Sequence, residues 1–154
     1  MLIEIHVPRA VTERTLTVTS HVMSFTDFVR AAMGGPSDPY PYQVRLAEEG
    51  LPDVLRAPTG TGKTLAAVLP WLYRRTTHPE DAVRTVTPHW LVVVLPQRVL
   101  VEQTVNVVRG WLTSIASDMP VHVLMGGEDA SDRDWKASPE RERIFIGTQD
   151  MVLS

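Results

Sequence analysis

The sequence predicts an α/β fold, an open parallel sheet flanked by helices. Three observations point to it. "WLVVVLP" (90–96) is a continuous apolar run of the kind buried on both faces of a parallel sheet. "VHVLMGG" and "RIFIGTQ" are further β-rich runs, separated from the first by a long amphipathic stretch. "VLRAPTGTGKTLAAV" (54–68) reads as strand, glycine-threonine loop and helix. Strands alternating with helices give a parallel arrangement, because parallel strands need crossover connections.

Residues 1–22 carry β-branched residues in "MLIEIHV" and "RTLTVTSHV", a pattern compatible with a hairpin across Pro8–Glu13. We treat them as an N-terminal extension, with the folded lobe predicted over 23–154. Met23 opens "MSFTDFVRAAMGG", where Phe25, Phe28, Val29 and Ala32 share a helical face and Gly34–Gly35 ends it. "GGPSDPYP" is a turn-rich loop. "YQVRLAEEG" predicts a short helix stopped by Gly50, and "PDVLRA" a buried strand. Residues 63–75 predict a helix in which Pro70 removes the amide that would bond Ala66, so a kink is expected. "TTHPEDAVRTVTPH" reads as a polar loop. A helix is expected from about Gln97 to Ile115 with Val101, Thr104, Val105, Val108 and Leu112 on one face, and 128–142 is a charged loop.

With 154 residues and 44% apolar content, the chain can bury one ordinary core. It has no cysteine, which excludes disulfides, thiolate metal sites and thiol nucleophiles. The net charge of −3 argues against purely electrostatic binding of nucleic acid, while leaving room for a locally basic groove. No apolar stretch is long enough to span a bilayer, and "MLIEIHV" lacks the basic and apolar regions of a signal peptide. The expected location is cytoplasmic, with no membrane partner.

The central pattern is Ala57-Pro58-Thr59-Gly60-Thr61-Gly62-Lys63-Thr64, a phosphate-binding P-loop with alanine at the first glycine position. Gly60 and Gly62 permit positive φ, so successive N–H groups can converge on phosphate oxygens. Lys63 supplies a point charge to the β/γ-phosphates, and the Thr64 hydroxyl is a ligand for Mg²⁺. The helix beginning here directs its N-terminal dipole at the same anion. The implied cofactors are ATP and Mg²⁺, with Lys63 and Thr64 as the catalytic pair. Some twenty residues upstream, the Gln43 amide can donate and accept at once and so match an adenine edge, and Tyr40 or Tyr42 can pack on the base.

"APTGTGKT" resembles motif I of superfamily 2 helicases, whose first lobe is RecA-like. "PYPYQ" falls where many such helicases carry a glutamine that reads adenine. "LPQRVLVEQT" resembles motif Ia, which implies that Gln97 and Arg98 approach a nucleic-acid backbone at a helix N-terminus. "MGG" and "GTQD" sit where that family has its glycine doublet and motif Ib, which implies Gly126, Gly127 and Thr148 as further strand contacts. Taken with "RLAEEG" and "IGTQDMVLS", these segments resemble the helicase part of the CRISPR-associated helicase–nucleases of type I systems, closest to the variant with the nuclease fused behind the helicase. The resemblance covers roughly residues 25–154. It implies ATP-driven movement along single-stranded DNA, recruitment by a guide-RNA surveillance complex, and a metal-dependent nuclease domain.

Two departures qualify the likeness. No apolar run ends in the Asp-Glu pair of motif II, for which "VLMGGED" and "IFIGTQD", with Glu128 and Asp150, are only superficial substitutes. None of the five histidines is followed by aspartate, so the histidine-aspartate dyad of the nuclease is absent. The expectation is therefore the N-terminal part of a first motor lobe, from a truncated gene or a fragment. On that expectation it would be inactive alone, its C-terminal lobe and nuclease domain lying elsewhere. Another superfamily 2 motor, or a nucleotide-binding module without turnover, are the competing readings.

Overall fold

The computed structural model describes residues 22–125 and 137–152. The hairpin pattern across Pro8–Glu13, the glycine doublet Gly126–Gly127 and Glu128 lie outside the described residues. The element order is α1 (Phe25–Met33), α2 (Pro41–Glu49), α3 (Lys63–Thr76), α4 (Asp81–Val86), β1 (Trp90–Leu95), α5 (Arg98–Ser114), β2 (Val121–Leu124), β3 (Arg143–Thr148) and α6 (Gln149–Val152). The strands form a parallel sheet in the order β1-β3-β2, with β3 inserted between its two predecessors. This is the predicted open parallel α/β architecture.

The helices begin and end where local chemistry dictates. The Ser24 hydroxyl accepts the Asp27 amide at 3.1 Å and so caps α1. Gly34, at φ 67°, ends the helix by returning its amide to Ala31. Pro41 opens α2, where its missing amide costs nothing. The predicted face of α5 is buried as expected, at Val101, Thr104, Val105, Val108 and Leu112. α3 runs as one helix through the buried Pro70.

One core joins these elements. Phe25, Phe28 and Val29 of α1, Val68, Leu69 and Leu72 of α3, and the buried face of α5 pack with Leu91, Ile144 and Ile146 of the sheet. Along each strand the residues alternate between faces. Leu91 pairs with Ile144 and Val93 with Ile146 on the core side, whereas Val92 pairs with Phe145 on the other. That second side is only partly covered. Phe145 is buried between the rings of Trp90 and His122, while Val92 and Val94 are 47% and 43% exposed. The expectation that "WLVVVLP" is buried on both faces is thus corrected. A continuous apolar run does not by itself reveal which face has a covering element.

The expected strand at Val54–Arg56 is absent. Residues 51–58 form no strand, and Val54 is 71% exposed. Strand conformation is held by ladder hydrogen bonds, and this segment pairs with none of the described strands. Apolar character without a pairing partner leaves Val54 and Leu55 in solvent. Two short helices were missed in compensation. α4 lies in the segment read as a polar loop, and α6 follows β3 directly.

Arg75 secures the end of the sheet opposite the strands' carboxyl termini. Its side chain, 12% exposed, meets the Glu142 carboxylate at 2.8 Å and donates to the carbonyls of Arg84 and Thr87. It therefore ties α3 and α4 to the residues just before β1 and β3. Arg75→Ala is expected to lower the unfolding free energy by about 1–3 kcal/mol, because acceptors it now satisfies lose their donor. Burial alone would raise the Glu142 carboxyl. Its own backbone hydrogen bond, the Arg75 hydrogen bond and charge, and His89 outweigh burial and hold it below the ordinary value of 4.5. A depressed carboxylate stabilises the fold above its unfolded value and loses that contribution as pH falls through the folded one. The stability gap between parent and Glu142→Gln, followed by urea denaturation, should therefore close as pH falls below about 4.5. A gap constant from pH 7 to pH 3 would contradict the ion pair.

Candidate nucleotide and strand site

The P-loop forms the turn into α3 that its glycines permit. Gly60 and Gly62 have φ of 81° and 72°, both in the left-handed region where a side chain is strained. Gly62 caps α3 and its carbonyl accepts the Ala66 amide at 2.9 Å. The Thr61 hydroxyl donates to the Pro58 carbonyl at 2.7 Å, closing the loop on itself. Ala57 is half-buried, and Pro58, Thr59, Lys63 and Thr64 are exposed. Thr59, Gly60, Gly62, Lys63 and Thr64 line a hollow of about 410 Å³ with Met33, Leu65 and Trp111.

The chemistry of that hollow fits a phosphate chain. Among the described residues, no carboxylate pairs with Lys63 and no hydrogen bond occupies the Thr64 hydroxyl. Free amides at the start of a 14-residue helix add a positive pole. For Mg²⁺ the described residues offer the Thr64 hydroxyl and no cluster of three histidine or carboxylate groups. A metal here would thus be held largely by phosphate oxygens. Asp150 lies exposed in the first turn of α6.

The upstream residues reach the same loop from α2. Gln43 is 1% exposed, and both ends of its amide are engaged. Its Oε1 accepts the Tyr40 amide at 2.8 Å, while Nε2 donates to the Gly62 carbonyl at 3.0 Å and lies 3.4 Å from that of Thr61. The Tyr42 hydroxyl donates to the Thr61 carbonyl at 2.5 Å. Tyr40, 52% exposed, stacks on Tyr42 with centroids 6.2 Å apart. The sequence placed Gln43 as a base reader. Its contact with the loop backbone was not legible there, because an 18-residue separation says nothing about contact.

At the other candidate surface, Gln97 is the N-cap of α5 and Arg98 its first residue, directly after β1. Thr148 ends β3 and is the register partner of Leu95. The parallel sheet therefore brings Gln97, Arg98 and Thr148 to one edge, beyond the strands' carboxyl ends, where ligands of open α/β sheets bind.

The P-loop and RecA-like sheet define a nucleotide-binding lobe of the superfamily 2 helicase type. Residues 40–154 match the DEAD/DEAH box helicase family, and the chain belongs to it. A probable ATP-dependent RNA helicase, YfmL of Bacillus subtilis (strain 168), is 31% identical over 125 residues, covering 77% of this chain and 30% of that protein. The yeast DEAD-box splicing factor Prp28 has the same fold, with a TM-score of 0.54 at 20% identity over 91% of this chain and 34% of that one. The chain thus spans about a third of the length of these relatives. They carry the helicase likeness and lend no support to its narrower CRISPR-associated form. Among the described residues, no helix is long and apolar enough to cross a membrane.

Proposed function

We propose that this chain is the ATP-binding lobe of an ATP-dependent helicase acting on single-stranded nucleic acid. The observation that carries the proposal is the glycine loop at the head of helix α3, with Lys63 and Thr64 exposed and lining a hollow of about 410 Å³. With a nucleotide bound, Lys63 would supply positive charge to the β/γ-phosphates and the Thr64 hydroxyl would be a ligand for Mg²⁺. The exposed Tyr40 ring offers a face for the base. Adenine reading by Gln43 would require its amide to share the base edge with the carbonyls it now serves. Turnover would further require a carboxylate for the metal and arginines from a second lobe.

Gln97, Arg98 and Thr148 are proposed to take the strand's phosphates, with Gly126 and Gly127 allowing close backbone approach. RNA is favoured by the relative described as a probable RNA helicase. Single-stranded DNA, a guide-RNA surveillance complex and a fused nuclease are favoured only by the motif likeness of the sequence. Binding of RNA and DNA strands of the same sequence, measured across salt concentrations with ATP–Mg²⁺ present, tests the reading. Arg98→Ala should weaken binding of every sequence alike and reduce the salt slope by about one. Binding to neither strand would remove the nucleic-acid part of the proposal.

A further inference from the structure

We infer that the Tyr42 hydroxyl is a positioning group for the phosphate loop, acting through the Thr61–Gly62 peptide. The argument rests on the phosphate-loop reading above and on the geometry of a planar peptide. In a trans peptide the C=O and the following N–H point in opposite directions. Tyr42 holds the Thr61 carbonyl toward α2 at 2.5 Å, and Gln43 holds the Gly62 carbonyl the same way at 3.0 Å. The N–H groups of Gly62 and Lys63 must then face away from α2. Gly62 and Lys63 both line the hollow, and no α2 residue does. Two carbonyls bound on the α2 side thus set two amides away from it, free to meet a phosphate in the hollow they line.

The rest of the loop's surroundings make this hold necessary. The segment leading into the loop, residues 51–58, belongs to no strand and leaves Val54 and Leu55 exposed, so it cannot impose the loop's conformation. α2 can, because it is fixed at its far end as well. Arg74 of α3 donates to the carbonyls of Ala47 and Glu48 at 2.9 and 2.6 Å, completing the C-terminus of α2. α2 therefore spans α3 from its cap to its last turn, and its first turn aims the loop. Gly62, at φ 72°, sits where a side chain is strained, and a Cβ there would come within 2.8 Å of Gln43 Nε2 and displace it from the Gly62 carbonyl.

The test is Tyr42→Phe, which removes the hydroxyl and keeps the ring. Affinities of the full chain for ATP, GTP and inorganic tripolyphosphate are measured calorimetrically, with a thermal melt confirming the fold. The expected result is a loss of roughly threefold to tenfold, the same for all three ligands, as one lost hydrogen bond in an ordered loop implies. Amide NMR of the parent supplies the signature a packing role would not give, with the Gly62 and Lys63 amides shifting together on tripolyphosphate addition. Parent-like affinity in Tyr42→Phe overturns the inference, as does a loss confined to ATP, which would mark a base contact. If the variant does not fold, unresponsive Gly62 and Lys63 amides in the parent overturn it instead. Lys63→Ala separates the two levels. Tripolyphosphate binding that survives Lys63→Ala removes the phosphate-loop reading itself, whereas binding lost there and kept in Tyr42→Phe removes only the role of Tyr42.

Discussion

Lys63→Ala is expected to lower ATP–Mg²⁺ affinity by roughly 10- to 100-fold while leaving the fold intact. Hydrogen bonds to charged groups contribute about 1.5–3 kcal/mol, and the Lys63 ammonium is the only cation lining the hollow among its described residues. The side chain is exposed and makes no ion pair with a described residue, so nothing in the core depends on it. Stability should therefore stay within about 0.5 kcal/mol of the parent. Calorimetric titration of parent and variant at equal protein concentration checks the first part, and urea denaturation the second. Equal nucleotide affinity in both proteins would sink the phosphate-loop assignment. A large loss of stability would show that Lys63 is structural, and the binding defect would then carry no information about phosphates.

The contrast between Lys63 and Val54 shows what a sequence can and cannot disclose about such a lobe. The loop's turn into its helix was legible because it is local. Glycines at positive φ, a lysine and a threonine at fixed spacing fit one turn into one helix, and the structure places them there. The helices α1, α2, α3 and α5 were legible for the same reason, through their apolar spacing and their caps. The strand at Val54–Arg56 misled because a strand is defined by its neighbour. The same non-local logic hid the exposure of Val92 and Val94, which depends on what covers the sheet. It also hid Tyr42, which reads as an adenine platform in one dimension and grips the Thr61 carbonyl in three. The strand-binding edge falls between these cases. Gln97 and Arg98 were read from a helix start, whereas their adjacency to Thr148 required the parallel register of β1 and β3.

Trp71→Ala is expected to cost about 3–5 kcal/mol of stability, the range for truncating a buried aromatic. Trp71 is 3% exposed within the common core, and its indole N–H donates to the Pro88 carbonyl at 2.9 Å. The alanine variant loses both the packing and the tie between α3 and the residues that lead into β1. Trp71→Phe separates the two contributions. It keeps most of the apolar volume, and Pro88 is exposed enough for water to replace the donor, so its hydrogen-bond loss should be nearer 1 kcal/mol. Urea denaturation of the three proteins measures both steps, and equal costs for the two variants would mean that the ring's packing contributes little. The nucleotide site gives an independent reading. Trp71 lies eight residues along α3 from Lys63, about 12 Å on a straight helix, and contributes no atom to the loop. At temperatures where Trp71→Phe stays folded, its ATP affinity should therefore match the parent's. A matched affinity with reduced stability would show that α3 carries its fold and its chemistry at separate ends, whereas a coupled loss would show that the loop's geometry depends on where the tryptophan seats the helix.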